Sequence, residues 1–187
     1  MLALTDEGGS GGLMTKLIHL FWEICLLRAG PQSLPTSYSL LGLALGAYLA
    51  VAVLVAHAVL PDMGQAVMAA AVDTFLLIAL SRAVLWARML GNRWPQTLSA
   101  LAGTGCFFEL ILLPINLWQQ QLGAVEPSFG LPLVLVLTVL VWNVAVMGHI
   151  LRHSLTTSLF NGTLLAVVYM YVTISVFRSL FITPNPL

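Results

Sequence analysis

The chain has 187 residues, 59% of them hydrophobic and only 7% charged, with a mean hydropathy of +0.98. Soluble domains carry roughly 25% charged residues, so too few charges are present to coat a water-facing surface, and the solvent must be largely lipid. Seven Lys or Arg balance seven Asp or Glu, and no basic tract marks nucleic acid or a strongly anionic lipid surface as a partner.

Residues 1–12 end in Gly8-Gly9-Ser10-Gly11-Gly12 and read as a disordered tail. Asp6 and Glu7 stand where a cleaved signal peptide would need basic residues, so none is expected. Residues 13–30 follow as an amphipathic segment. Lys16, His19 and Glu23 fall at i, i+3 and i+7, one narrow polar stripe on a helix. The segment is too short and too charged to span comfortably. An interfacial helix with Phe21 and Trp22 at headgroup level is the expectation, ended by the Gly30-Pro31 and Leu34-Pro35 steps.

Residues 38–178 read as a domain of five spans, at 38–60, 63–90, 95–118, 129–149 and 155–177. Each is long enough for a hydrocarbon core about 30 Å thick. The fold class is therefore all-α, a polytopic membrane bundle of five transmembrane helices preceded by an interfacial helix. Connections are short, which makes neighbouring spans antiparallel. Lys16, Arg28, Arg88, Arg93 and Arg152 fall on one side of the membrane, whereas Asp62 and Glu126 fall on the other; Arg178 alone breaks the pattern. By the positive-inside rule the amino terminus is cytoplasmic and the carboxyl terminus outside, in the inner membrane if the source is bacterial.

Polar residues inside the spans are the functional candidates, because ionisable groups there are expensive and usually face helices or a wet cavity. In the first span Gly42, Gly46 and Ala50 form a line of small residues that continues through Val53 to His57. Ala66, Ala69, Ala70 and Asp73 share a face of the second span; Ala102, Gly105, Cys106 and Glu109 share one of the third, extended by Asn116. Small faces let backbones approach, so they read as packing seams. With the topology above, His57, Asp73, Glu109 and Asn116 fall in the outer half of the membrane and can meet. Two carboxylates together in low dielectric favour a shared proton, which a histidine could relay. The alternative is that each group is hydrogen-bonded between helices and only fixes packing.

Arg82 lies halfway around its helix from Asp73. Either it snorkels to the headgroups, or it joins His149 and Asn161 in a polar cluster at the inner side. Asn161-Gly162-Thr163 matches a glycosylation acceptor but starts a span on the inner side, so no modification is expected there. Pro114 should kink the third span near Glu109. Cys25 and Cys106 lie in apolar stretches, which argues against a disulfide or a zinc site. No metal or cofactor is expected, and no Walker loop, nucleophile elbow, HExxH or paired-Cys motif is present. The chain reads as a non-enzyme.

Leu90-Gly91-Asn92-Arg93-Trp94-Pro95-Gln96-Thr97-Leu98-Ser99-Ala100-Leu101 resembles the Gly-rich turn feeding a Q-T-L helix start in the Yip1-like membrane domain. A looser match runs from Val141-Trp142-Asn143 through His149 into Arg152-His153-Ser154. The resemblance covers most of the chain from about residue 17. It implies five spans after an amphipathic segment, and a trafficking-type or unassigned inner-membrane role. The expected function is that of a non-enzymatic scaffold or accessory subunit acting by helix association with the lipid bilayer around it and a membrane-protein partner or a second copy beside it. The alternative is a small proton- or cation-coupled transporter or channel component using His57, Asp73 and Glu109.

Overall fold

A computed structural model describes residues 10–60, 62–122 and 130–181. Among them run six α-helices: α1 Ser10–Cys25, α2 Tyr38–Val59, α3 Met63–Ala87, α4 Trp94–Leu122, α5 Leu131–Leu155 and α6 Leu159–Phe181. No strand occurs among the described residues, and α2 to α6 are each long and apolar enough to cross a membrane. The chain is an all-α bundle that fits an integral multi-pass protein.

Local chemistry explains the ends. Ser37 accepts from the Leu40 amide and starts α2; Asp62 accepts from the Gln65 amide at 2.9 Å and starts α3. Each oxygen meets an amide that has no intrahelical partner. At the other ends Leu27, Met89 and Thr156 take left-handed φ angles of 62°, 56° and 52°. The residue after each donates back five positions: Arg28 to Glu23, Leu90 to Leu85 and Thr157 to Arg152, at 2.9, 2.8 and 3.0 Å. That is the Schellman closure, made here without glycine at a cost of about 1 kcal/mol apiece.

Several boundaries differ from the sequence expectation. Ser10, Gly11 and Gly12 belong to α1 and not to a tail, while residues 1–9 lie outside the described residues. Gln119, Gln120 and Gln121 extend α4, and Gln120 Nε2 donates to the Ala58 carbonyl of α2. Arg152 and Ser154, expected in a loop, form the last turn of α5, so α6 begins four residues later than expected. Polar side chains at a helix end stay helical when nothing breaks the backbone, and no Gly or Pro interrupts 149–155. Glu126 lies outside the described residues.

The middle of the bundle is α4. Every residue from Thr97 to Thr104 is buried, all round the helix, because α1, α2, α3 and α5 pack on it from different sides. Two glycines let large rings close on its backbone. A Cβ on Gly103 would collide with the Phe21 ring, and one on Gly105 would come within 2.6 Å of Tyr48 Cε2. On the far side α6 packs against α5 and α3 and is mostly exposed.

The position of α1 differs from a helix lying across the bundle's end. Phe21, Ile24 and Cys25 are buried, and Trp22 meets the Phe107 ring at 6.2 Å between centroids. Phe107 stands thirteen residues, about 20 Å, along α4 from Trp94. The backbone that follows α1 is met in kind: Trp142 Nε1 donates to the Cys25 carbonyl at 2.9 Å, and His149 Nε2 lies 3.2 Å from the Ala29 carbonyl. So α1 docks by its last two turns on the flank of α4 and α5, with its first turns exposed. His19 Nδ1 and Glu23 Oε1 pair at 3.7 Å on the outer stripe. Burial pushes the Cys25 thiol up to about 12, so it stays an inert thiol.

The three connections at the basic end interlock. Arg93 Nη1 donates to the Ser154 carbonyl at 3.2 Å and to Thr156 Oγ1 at 2.9 Å. Thr97 Oγ1 and Ser154 Oγ lie 2.9 Å apart, and Gln96 Nε2 donates to the Leu34 carbonyl at 2.8 Å. The Gln96-Thr97 pair therefore ties the α3–α4 turn to both neighbouring connections. Its packing role is plain.

Candidate functional site

Lining one cavity of about 150 Å³ are side chains from all five long helices: Tyr48 of α2, Asp73 of α3, Thr104 and Glu109 of α4, Asn143 of α5, and Tyr169 and Thr173 of α6. The Tyr48 hydroxyl donates to Asp73 Oδ2. Helix spacing puts it there: Leu41, Ala44, Tyr48 and Ala52 recur at i, i+3, i+7 and i+11 and are the buried face of α2. Glu109 reaches the same cavity one turn beyond Gly105, where the missing Cβ admits the Tyr48 ring.

A second, apolar crevice of about 370 Å³ opens on the other side of the acids. Ala52, Val55 and Val59 of α2, Ala69 and Leu76 of α3, and Phe177 of α6 form its walls. Asp73, Glu109 and Thr173 line both spaces. The two carboxyl groups thus stand in the wall between a cavity that holds several polar groups among apolar ones and a crevice that is almost wholly apolar. Glu109 Oε2 is buried without a hydrogen-bond partner among the described residues. A buried carboxylate oxygen left unmet is costly, and a proton or a cation is what such an oxygen lacks. No cluster of three or more His, Cys, Asp or Glu suited to a metal occurs among the described residues.

The expected members sort differently. Asp73 and Glu109 do come together. His57 does not join them: it is exposed, on the same outward line as Gly42, Gly46 and Ala50. Asn116 lines neither space. Gly42 and Gly46 face outward, and nothing lies within 4 Å of a Cβ placed on either, so this line of small residues is a seam against no other helix among the described residues. Tyr48, Asn143 and Tyr169 were missed. Tyr48 was findable, because it is the one polar side chain on the α2 face opposite the glycines.

Nor does the inner polar cluster of Arg82, His149 and Asn161 form. Arg82 lies over the Trp94 ring, 5.0 Å from its centroid, a contact attractive through the ring's negative face. His149 stacks edge-on to His153 with centroids 4.5 Å apart. Asn161 Nδ2 donates to Thr157 Oγ1 at 3.1 Å, one turn back. Three separate partners hold the three residues apart. Pro114 does lie within α4, which continues through it; lacking an N–H, it leaves the Leu110 carbonyl without its helical donor.

Comparison of the chain with family models, curated proteins and solved structures gives no match.

Proposed function

We propose that the chain is a small proton- or cation-coupled transporter or channel component in which Asp73 and Glu109 carry the coupling ion. One observation carries the reading: the two acids form the wall between a cavity that every long helix lines and an apolar crevice. Tyr48 orients Asp73 by its hydrogen bond. Glu109 supplies the unmet oxygen, and the crevice offers a path from the side of the bundle. His57 has no part in this version, and no covalent chemistry is assigned. The basic end is placed in the cytoplasm on the distribution of Arg28, Arg88, Arg93 and Arg152, which gives an inner-membrane location in a bacterium.

The test is flux in proteoliposomes that hold a pH-sensitive dye, with an imposed proton gradient and a panel of monovalent and organic cations. Asp73→Asn and Glu109→Gln should each keep the helical fold and slow flux by about tenfold or more, at least ~1.4 kcal/mol in the barrier. His57→Ala should leave it unchanged. Full flux in both acid variants sinks the assignment.

Association through α2 is the second reading, favoured by the outward line of Gly42, Gly46 and Ala50, open to the approach of another helix. In this reading the chain is a scaffold or accessory subunit beside a membrane-protein partner or a second copy. Gly46→Leu should then abolish assembly without unfolding the monomer, because its own chain leaves the space empty. Normal complexes in that variant count against it. Kinship with the Yip1-like domain remains a proposal on the motif of residues 90–101, whose Gln96 and Thr97 are accounted for by packing.

A further inference from the structure

A groove of about 660 Å³ runs between α5 and α6, with Leu27, just after α1, also in its lining. Leu140, Val141, Val144, Val167 and Met170 make its walls apolar, whereas Arg152 and His149 stand at its basic end. From Leu140 to Arg152 is twelve residues of α5, about 18 Å, comparable with the roughly 15 Å hydrocarbon depth of one membrane leaflet plus the start of its headgroup region. Arg152 is half-buried, and its guanidinium makes no hydrogen bond or ion pair among the described residues. His149 already contacts the Ala29 carbonyl, which leaves Arg152 as the free cation of the groove. The first turn of α6 lies against it: a Cβ on Gly162 would come within 2.9 Å of the Arg152 backbone nitrogen. That helix start adds positive potential at the same place.

We infer that this groove is a binding site for one anionic phospholipid, its phosphate on Arg152 and an acyl chain along Val144, Val167 and Met170. Charge complementarity selects the occupant. A free anion would use Arg152 but not the apolar walls, and a zwitterionic lipid brings its own cation beside the phosphate, which weakens the attraction to the guanidinium. Val141 and Val167 are 69% and 47% exposed, so the groove is open to the side from which a lipid arrives. A single arginine in a shaped groove differs from a polybasic surface, and the sequence has no such tract. The groove shares Leu140, Val144 and Met170 with the carboxylate cavity, whereas Arg152 and His149 at its basic end belong to the groove alone.

The experiment is native mass spectrometry of the full chain, released from detergent after incubation with equal amounts of phosphatidylglycerol and phosphatidylcholine of identical acyl chains. Wild type should retain the anionic lipid about fivefold better, the scale of one basic residue at a membrane surface. Arg152→Gln should lose that preference, Arg152→Lys should keep part of it, and Arg178→Gln at the opposite end should keep all of it. Equal retention of the two lipids by wild type, or an unchanged preference in Arg152→Gln, overturns the assignment. Loss of the lipid to excess inorganic phosphate would also overturn it, in favour of a bare anion site. If Arg152→Gln fails to fold, the wild-type preference and Arg152→Lys still decide.

Discussion

Gly162→Ala is expected to destabilise the bundle by about 3 kcal/mol, the upper part of the range for overpacking a close contact. A Cβ at that position would run into the Gly148 carbonyl oxygen and lie 2.9 Å from the Arg152 nitrogen, both backbone atoms of α5. Side chains can rotate away from an added methyl, whereas a helix backbone must move as a whole. The contact is two-sided, since a Cβ on Gly148 would come within 2.9 Å of Thr163 Cα. The hairpin of α5 and α6 is therefore a glycine-to-glycine crossing of the kind that close packing in lipid relies on. Thermal unfolding in detergent should show a clear fall in midpoint for Gly162→Ala and almost none for Gly42→Ala, whose Cβ meets nothing. Equal midpoints for the two would mean that the crossing is looser than described.

The second large effect is expected from Tyr48→Phe. The ring stays seated over Gly105, and only the hydroxyl that donates to Asp73 is removed. A hydrogen bond to a charged or charge-sharing group is worth about 1.5–3 kcal/mol, so some stability is lost in any case. If the acids carry a coupling ion, flux per folded molecule should also drop by about tenfold, because Asp73 loses the donor that orients it. A purely structural role predicts a lower midpoint with unchanged flux per folded molecule. That result would count against the transport reading and leave the packing reading standing.

The five spans were legible because hydropathy and length report directly on a lipid solvent. Asp73 and Glu109 were legible because an acid in such a span needs a reason. Which way each helix faces was much harder to read. A helix in lipid is apolar on its outer face as well as its inner one, so the polar-to-apolar contrast that orients a soluble helix is nearly absent. On α2 the small residues Gly42, Gly46 and Ala50 suggested the inner face, and His57 followed them. The structure buries the opposite line of Leu41, Ala44, Tyr48 and Ala52, which brings a tyrosine to Asp73 in place of a histidine. Glycines do mark close approach within this chain, but at Gly103, Gly105, Gly148 and Gly162. The partner of a glycine is set by the neighbouring helix, which its own sequence does not show.

The ends failed for a different reason. Arg152 and Ser154 are polar and stand next to a turn, so they read as loop, yet the backbone completes α5 through both and the Ser154 hydroxyl meets Thr97 of α4. Arg82 carried no signal for its true partner, since Trp94 lies across a chain reversal whose geometry depends on the left-handed Met89. A β-turn or helix stop made without glycine leaves little trace in sequence. The docking of α1 needed the pairing of the Gly103 gap with the Phe21 ring, a contact between distant segments.

Infrared difference spectroscopy of the protein in lipid, between acidic and alkaline buffer, tests the central claim most directly. If Asp73, Glu109 and Tyr48 form one proton-holding site, the wild-type spectrum contains a protonated-carboxyl component that is absent in Glu109→Gln and displaced in Tyr48→Phe. A carboxyl band identical in wild type, Asp73→Asn and Glu109→Gln would show that the buried pair holds no exchangeable proton, and would contradict the account.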